Sequence, residues 1–258
     1  MIAAMRAGGL FACLGLAVAA RSWQSTPGPG EREALIARIR ESAITYADRL
    51  QDFICVRVTA RSAGAVGAHT RWKRLETQEH ELTYVGHREG HTLLKLNGKP
   101  PQAGRSPKGG YFQPGSEFGS YFSKVFAPTA GAEFIWDHEE QSGGRRVCVF
   151  RYRVPLSTST WSVTANGDEI RMGHHGFVHA DCDTAGVVRL QLETEISEGK
   201  PVGIQADIHY GPVPIGGKEF LLPVHVEEIA RYRGQLTKVE MEFRDYRKYS
   251  ADSSITFK

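Results

Sequence analysis

Three histidines and two aspartates, His174, His175, His179, Asp181 and Asp183, fall within ten residues of one another. Side chains of these types bind zinc and serve as acids and bases in hydrolysis, so their spacing is the first thing to test. Read as a strand, His175, Phe177, His179, Asp181 and Asp183 share one face and His174 lies opposite. At about 3.3 Å per residue, His175 and His179 then stand about 13 Å apart, too far to hold one ion. Only His179 and Asp181 could chelate together. A helix would align positions 175 and 179, but Gly173, Gly176 and the β-branched residues that follow argue for strand. A metal-dependent hydrolase built on His174, His175, His179 and Asp181 is therefore a minor reading, and no metal ligand set or cofactor is expected. The acidic run Asp137 to Glu140 places Asp137 and Glu139 on one side, as paired carboxylates for acid–base work would require, yet a solvated strand end accounts for it equally. The chain contains no H-E-x-x-H, G-x-S-x-G or Walker loop, and no base stands beside the polar run Pro155 to Val163. No enzyme activity is expected.

The aromatic residues carry more. Phe118, Tyr121, Phe122, Val125 and Phe126 follow i, i+3, i+4, i+7, i+8 spacing, which makes one dense aromatic face on a short helix that Ser116 could cap and Pro128 ends. With Trp136, Phe150, Tyr152 and Trp161 in the strands nearby, such a helix covers either an ordinary core or a hollow for a greasy ligand. On the second reading, the lining would be Phe118, Tyr121, Phe122, Phe126, Trp136, Phe150, Tyr152, Leu190 and Leu192. The loop Lys99 to Ser116, with four prolines and four glycines, would gate it.

The elements that must position these residues are mostly strands. An amphipathic helix is expected over Glu31 to Leu50, with Leu35, Ile39, Ala43, Tyr46, Ala47 and Leu50 on one stripe and Glu31 and Glu33 at the positive end of its dipole. From Phe53 the pattern changes to strands and polar turns, with Asn97-Gly98 a hairpin signal because both residues tolerate positive φ. Val188, Leu190, Leu192 and Ile196 alternate with Arg189, Gln191, Glu193 and Glu195. Val239, Met241 and Phe243 alternate with Lys238, Glu240, Glu242 and Arg244. One face is dry and one wet, so the sheet must curl or be covered by helices.

Composition limits the partners. The first 20 residues, with Arg6 and an apolar run from Leu10 to Ala20, have the layout of a secretory signal peptide, too short to span a bilayer. A polar spacer, residues 21–30, follows, and 31–258 reads as a single domain. Without that leader the chain has 31 basic and 29 acidic residues, a balance that predicts no nucleic-acid partner and a soluble mature chain. The remaining cysteines, Cys55, Cys148 and Cys182, leave every pairing open, including none.

One further signal is a resemblance. The hairpin "HADCDTAGVVRLQLE" followed by "YGPVPIGGKEFLLPVHVE" resembles the superfamily of periplasmic lipoprotein carriers and outer-membrane lipoprotein-sorting proteins, which includes a sensor domain that restrains an envelope-stress anti-sigma factor. The matching residues are Asp181 or Asp183, Thr184, Gly186, Tyr210, Gly216, Gly217, Leu222 and Pro223. Ala185 interrupts the usual threonine–glycine pair, and the loop with its aromatic helix is larger than a minimal carrier needs. The ending "FRDYRKYSADSSITF" is similar to a group of secreted bacterial proteins of the same fold. The resemblance implies a mainly β (α+β) protein: a curved antiparallel sheet forming an incomplete β-barrel, plugged by an N-terminal helix and a short aromatic helix. It implies a periplasmic or secreted location and a partner that is a lipid or lipoprotein acyl chain. The alternative is an envelope module of the same fold that meets a protein partner over a filled core.

Overall fold

The structure is a computed structural model, and it describes residues 27–67, 69–102, 118–165, 168–195 and 202–250. The leader, most of the loop from Lys99, Ser116, Ile196 and the final "SITF" lie outside the described residues. Ten strands form one antiparallel sheet that does not close: β1 (Phe53–Ala65), β2 (Lys73–Val85), β3 (Arg88–Leu96), β4 (Glu133–Ser142), β5 (Arg145–Val154), β8 (His174–Asp181), β9 (Val187–Thr194), β10 (Val202–Ile215), β11 (Lys218–Tyr232) and β12 (Gln235–Lys248). Their order is β3-β2-β1-β12-β11-β10-β9-β8-β5-β4, so β3 and β4 are the open edges. A hairpin of β6 (Ser162–Ala165) and β7 (Asp168–Arg171) stands apart from the sheet. Register shifts in six of the nine pairings of the large sheet bend it, since each extra residue adds twist to its strand.

The alternation read from sequence is the alternation of burial. Leu190, Leu192, Val239, Met241 and Phe243 are buried, whereas Glu193, Glu242 and Arg244 are exposed. The hairpin signal holds as well: Asn97 and Gly98 have φ of 52° and 75°, and Leu96 and Lys99 exchange backbone hydrogen bonds across them.

The dry face is covered by helices. α1 (Pro29–Ile44) starts two residues before the expected Glu31, because Pro29 suits the first helical position and the Glu31 carboxylate accepts a hydrogen bond from the Gly28 N–H at 2.7 Å. The helix does not run unbroken to Leu50. It stops at Thr45, whose hydroxyl donates to the Glu41 carbonyl (2.9 Å), and a separate turn, α2 (Tyr46–Arg49), follows. Side-chain bonding of this kind competes with the helical ladder and bends it. Leu35, Ile39, Ala43, Tyr46 and Leu50 of the expected stripe are buried, and Ala47 is half-buried. α3 (Ser120–Phe126) packs against α1 and buries Tyr121, Phe122, Val125 and Phe126.

One glycine is required by close approach of strands. A Cβ built on Gly176 would lie 1.9 Å from the Gln191 carbonyl oxygen, a contact no side chain can make. Across the sheet Tyr152 pairs with Gly176 and reaches over it to donate its hydroxyl to that same carbonyl at 3.2 Å.

Candidate functional site

The histidine-rich segment is dispersed by the fold rather than gathered. His174, fully buried, lies with Nδ1 3.3 Å from the Ser159 hydroxyl between the rings of Tyr152 and Trp161. Burial, reinforced by the Lys124 cation, pushes its pKa down to about 4, so it is neutral. His175 is exposed. His179 Nδ1 lies 3.0 Å from the Glu140 carboxylate and Nε2 3.2 Å from the Gln191 side-chain oxygen. Asp181 accepts the backbone N–H groups of Asp183 and Thr184 at 3.0 and 2.8 Å. Burial pushes its pKa up, but these donors and the Thr184 hydroxyl hold it below the usual carboxylate value. Asp181 thus sets the turn that Ala185 completes at φ 59°. A register shift at His179/Ala180 buries His179, Ala180 and Asp181 together, which a strictly alternating strand does not do.

The acidic run is likewise spent on neighbours. A register shift at Trp136/His138 breaks the expected alternation; Asp137 pairs with Arg151 at 2.9 Å and Glu139 accepts two hydrogen bonds from Arg146 at 2.9 and 3.0 Å. The Arg146 guanidinium holds the Glu139 carboxyl below its ordinary pKa, the opposite of what a general acid needs. Cys148 and Cys182 form a disulfide that ties the turn after β8 to β5, and Cys55 is buried. Among the described residues, one group of three possible ligands converges within 4.8 Å, Glu139 with Cys148 and Cys182, and its two sulfurs are taken by the disulfide.

Of the nine residues expected to line a hollow, eight are buried side by side: Phe118, Tyr121, Phe122, Phe126, Phe150, Tyr152, Leu190 and Leu192 belong to one core. Rings fill the space beneath α3. Phe53 packs on Phe118 at 5.0 Å, Tyr46 and Tyr210 each on Phe122 at 4.9 Å, and Phe126 stacks on Phe134 at 5.5 Å. Trp136 is the exception: half-buried on the edge strand β4, it lies under the Arg32 guanidinium of α1 at 5.0 Å.

Phe122 also lines a cleft between the helices and the sheet. The cleft, of about 400 Å³, separates α1 and α2 from the β9 start and the β10–β11 hairpin, with Ala43, Tyr46, Leu50, Val187, Phe220 and Leu221 on its walls and Phe122 at the core side. Arg49, Arg145 and Glu219 are its exposed charged members. Tyr46 contributes a buried hydroxyl with no hydrogen-bond partner among the described residues, and burial raises its pKa, so it keeps its proton. Sequence reasoning found Phe122 but missed Tyr46, Leu50, Phe220 and Leu221 as one site with it, because those four come from two segments far apart in the chain. The run Phe220-Leu221-Leu222, with too many adjacent apolar residues for a half-wet strand, was the available signal.

Against known proteins, no family model and no curated relative matches the chain. Solved structures do. It is similar to a LolA superfamily protein from Nitrosomonas europaea (10% identity, 86% of this chain and 97% of that one, TM-score 0.37). It is also similar to a DUF1329 family protein from Desulfovibrio piger (9%, 86% and 94%, TM-score 0.37) and to a domain described as an outer membrane lipoprotein-sorting protein from Vibrio parahaemolyticus (12%, 86% and 94%, TM-score 0.35). At these TM-scores nothing about ligand or activity passes to this chain.

Proposed function

We propose that the protein is a non-enzymatic holder of a hydrophobic ligand, a lipid or lipoprotein acyl chain, in the bacterial envelope. The observation that carries the reading is the rim cleft: its volume falls in the range of about 300–1,000 Å³ usual for small-molecule sites, and its inner wall, Phe122, is also part of the aromatic core. An apolar chain enters between α2 and the β10–β11 hairpin and meets Phe122 first. When α3 yields, the chain runs on over Tyr121, Phe126, Phe118, Phe150, Tyr152, Leu190 and Leu192, with Trp136 at the β4 edge. The unpartnered Tyr46 hydroxyl donates to an ester or carboxyl oxygen at the polar end, which relieves a burial cost of about 1–3 kcal/mol. The envelope location is supported by the leader-like first 20 residues and by the Cys148–Cys182 disulfide, since such bonds persist in oxidising compartments.

A second reading has its own observation. The eight buried lining residues pack on each other in the same way as any core, which favours an envelope interaction module whose rim or loop meets a protein. Native mass spectrometry of the protein purified without detergent separates the two. A co-purifying mass of one acyl-bearing molecule is the result expected; a clean apo mass, with no uptake from added phospholipid vesicles, favours the interaction module.

A further inference from the structure

The outer face of the sheet carries a row of polar residues that the ligand-holding reading does not use. Direct cross-strand partners link His138 on β4, through Val149, to His179, Arg189, His209, His225 and Glu242 in successive strands. Within this row His209 on β10 and His225 on β11 face each other as register partners, with ring centroids 5.9 Å apart and both side chains more than a third exposed.

Each ring has a carboxylate on one nitrogen. Nδ1 of His225 lies 2.6 Å from Glu242, and Nε2 of His209 lies 3.2 Å from Asp207. A proton held at each of those contacts leaves Nε2 of His225 and Nδ1 of His209 as lone pairs. The carboxylate–histidine pairing is the arrangement that fixes imidazole tautomers around protein-bound zinc. Two imidazoles sharing one ion with metal–nitrogen distances of about 2.0–2.1 Å and a tetrahedral angle have their centroids about 5 Å apart. The observed separation needs to close by only about 1 Å, within reach of exposed side chains rotating about χ1 and χ2. Arg189 on the neighbouring strand is paired with Asp207 at 2.8 and 2.5 Å.

We propose that His209 and His225 bind one borderline transition-metal dication, Zn²⁺, Cu²⁺ or Ni²⁺, on the outer face, with Glu242 as a positioning residue. The site is independent of the rim cleft and does not depend on the ligand-holding function.

The test is isothermal titration of ZnCl₂ and CuCl₂ into EDTA-stripped full-length protein with its disulfide intact. One ion per chain is expected, with copper tighter than zinc as the ligand-field order requires. His209→Gln and His225→Gln should each weaken binding at least about tenfold, and Glu242→Gln about ten- to a hundredfold while leaving both imidazoles in place. His175→Gln, an exposed histidine on β8, should change nothing. Unaltered melting curves for the variants without metal show that each is folded. Absence of stoichiometric binding, or binding that survives either histidine substitution, overturns the assignment.

Discussion

The two faces of the same sheet solve opposite problems. On the inner face, rings from β1, β4, β5, β10 and α3 pack around Phe122 and Phe126 in one buried core. On the outer face, neighbours are paired by charge: Arg151 with Asp137, Arg189 with Asp207, Arg247 with Glu81, Lys95 with Glu79. Packing fills the first and fixes its shape, whereas exposed ion pairs leave the second adaptable and contribute little stability. On the proposed reading, an apolar chain enters at the cleft lined by Tyr46 and Phe122.

That contrast can be broken most severely at Gly176. Its Cα hydrogen faces the β9 backbone, so Gly176→Ala forces the strands apart; soluble yield should collapse, or urea unfolding should show a loss of at least about 4 kcal/mol. A wild-type-like midpoint would mean that β8 and β9 are less tightly apposed than described. Next in size is the aromatic core. Phe126→Ala should cost about 3–5 kcal/mol, against under about 1 kcal/mol for Arg151→Ala on the outer face, both read from denaturant midpoints. Equal losses would erase the distinction between the faces.

The smallest effect is one of pH. His174 binds a proton near pH 6.5 when unfolded but only near pH 4 when folded, so its contribution is complete above pH 6.5 and is lost as pH falls towards 4. The loss amounts to up to about 3 kcal/mol by pH 4. The half-buried His80, whose pKa burial and Arg57 also push down to about 4, acts in the same direction. Stability curves from pH 7.5 to 4.5 should fall more steeply for the wild type than for His174→Leu; parallel curves would place the histidine in a wetter setting.

What the sequence made legible was periodic. Leu190/Leu192 against Arg189/Gln191, and Met241/Phe243 against Glu240/Glu242, needed only the two-residue repeat of a strand, and the sheet and its dry face follow from them. The aromatic helix was legible from the spacing of Tyr121, Phe122, Val125 and Phe126, but it starts at Ser120 with Gly119 as its N-cap, so Phe118, expected on it, precedes it and still packs into the core. Local competition hid the rest. The helix break needed the Thr45 hydroxyl to prefer the Glu41 carbonyl, and the burial of His179 and Asp181 needed a register shift that no periodicity reports. The β6–β7 hairpin was missed although Asn166-Gly167 repeats the dipeptide that marked the turn at Asn97-Gly98, because four-residue strands are too short to show alternation. The disulfide and the cleft join distant segments, and the His209–His225 pair depends on the register of the β10–β11 hairpin, which shifts beside His209.

The ligand-holding reading stands most directly on a titration of a fluorescent fatty acid into detergent-free protein, repeated with Leu221→Trp, whose added bulk narrows the cleft. Saturation at one probe per chain in the wild type, and affinity at least about tenfold weaker in a Leu221→Trp protein that melts at the same temperature, is the outcome expected. Probe binding that never saturates, or that Leu221→Trp leaves unchanged, would contradict it.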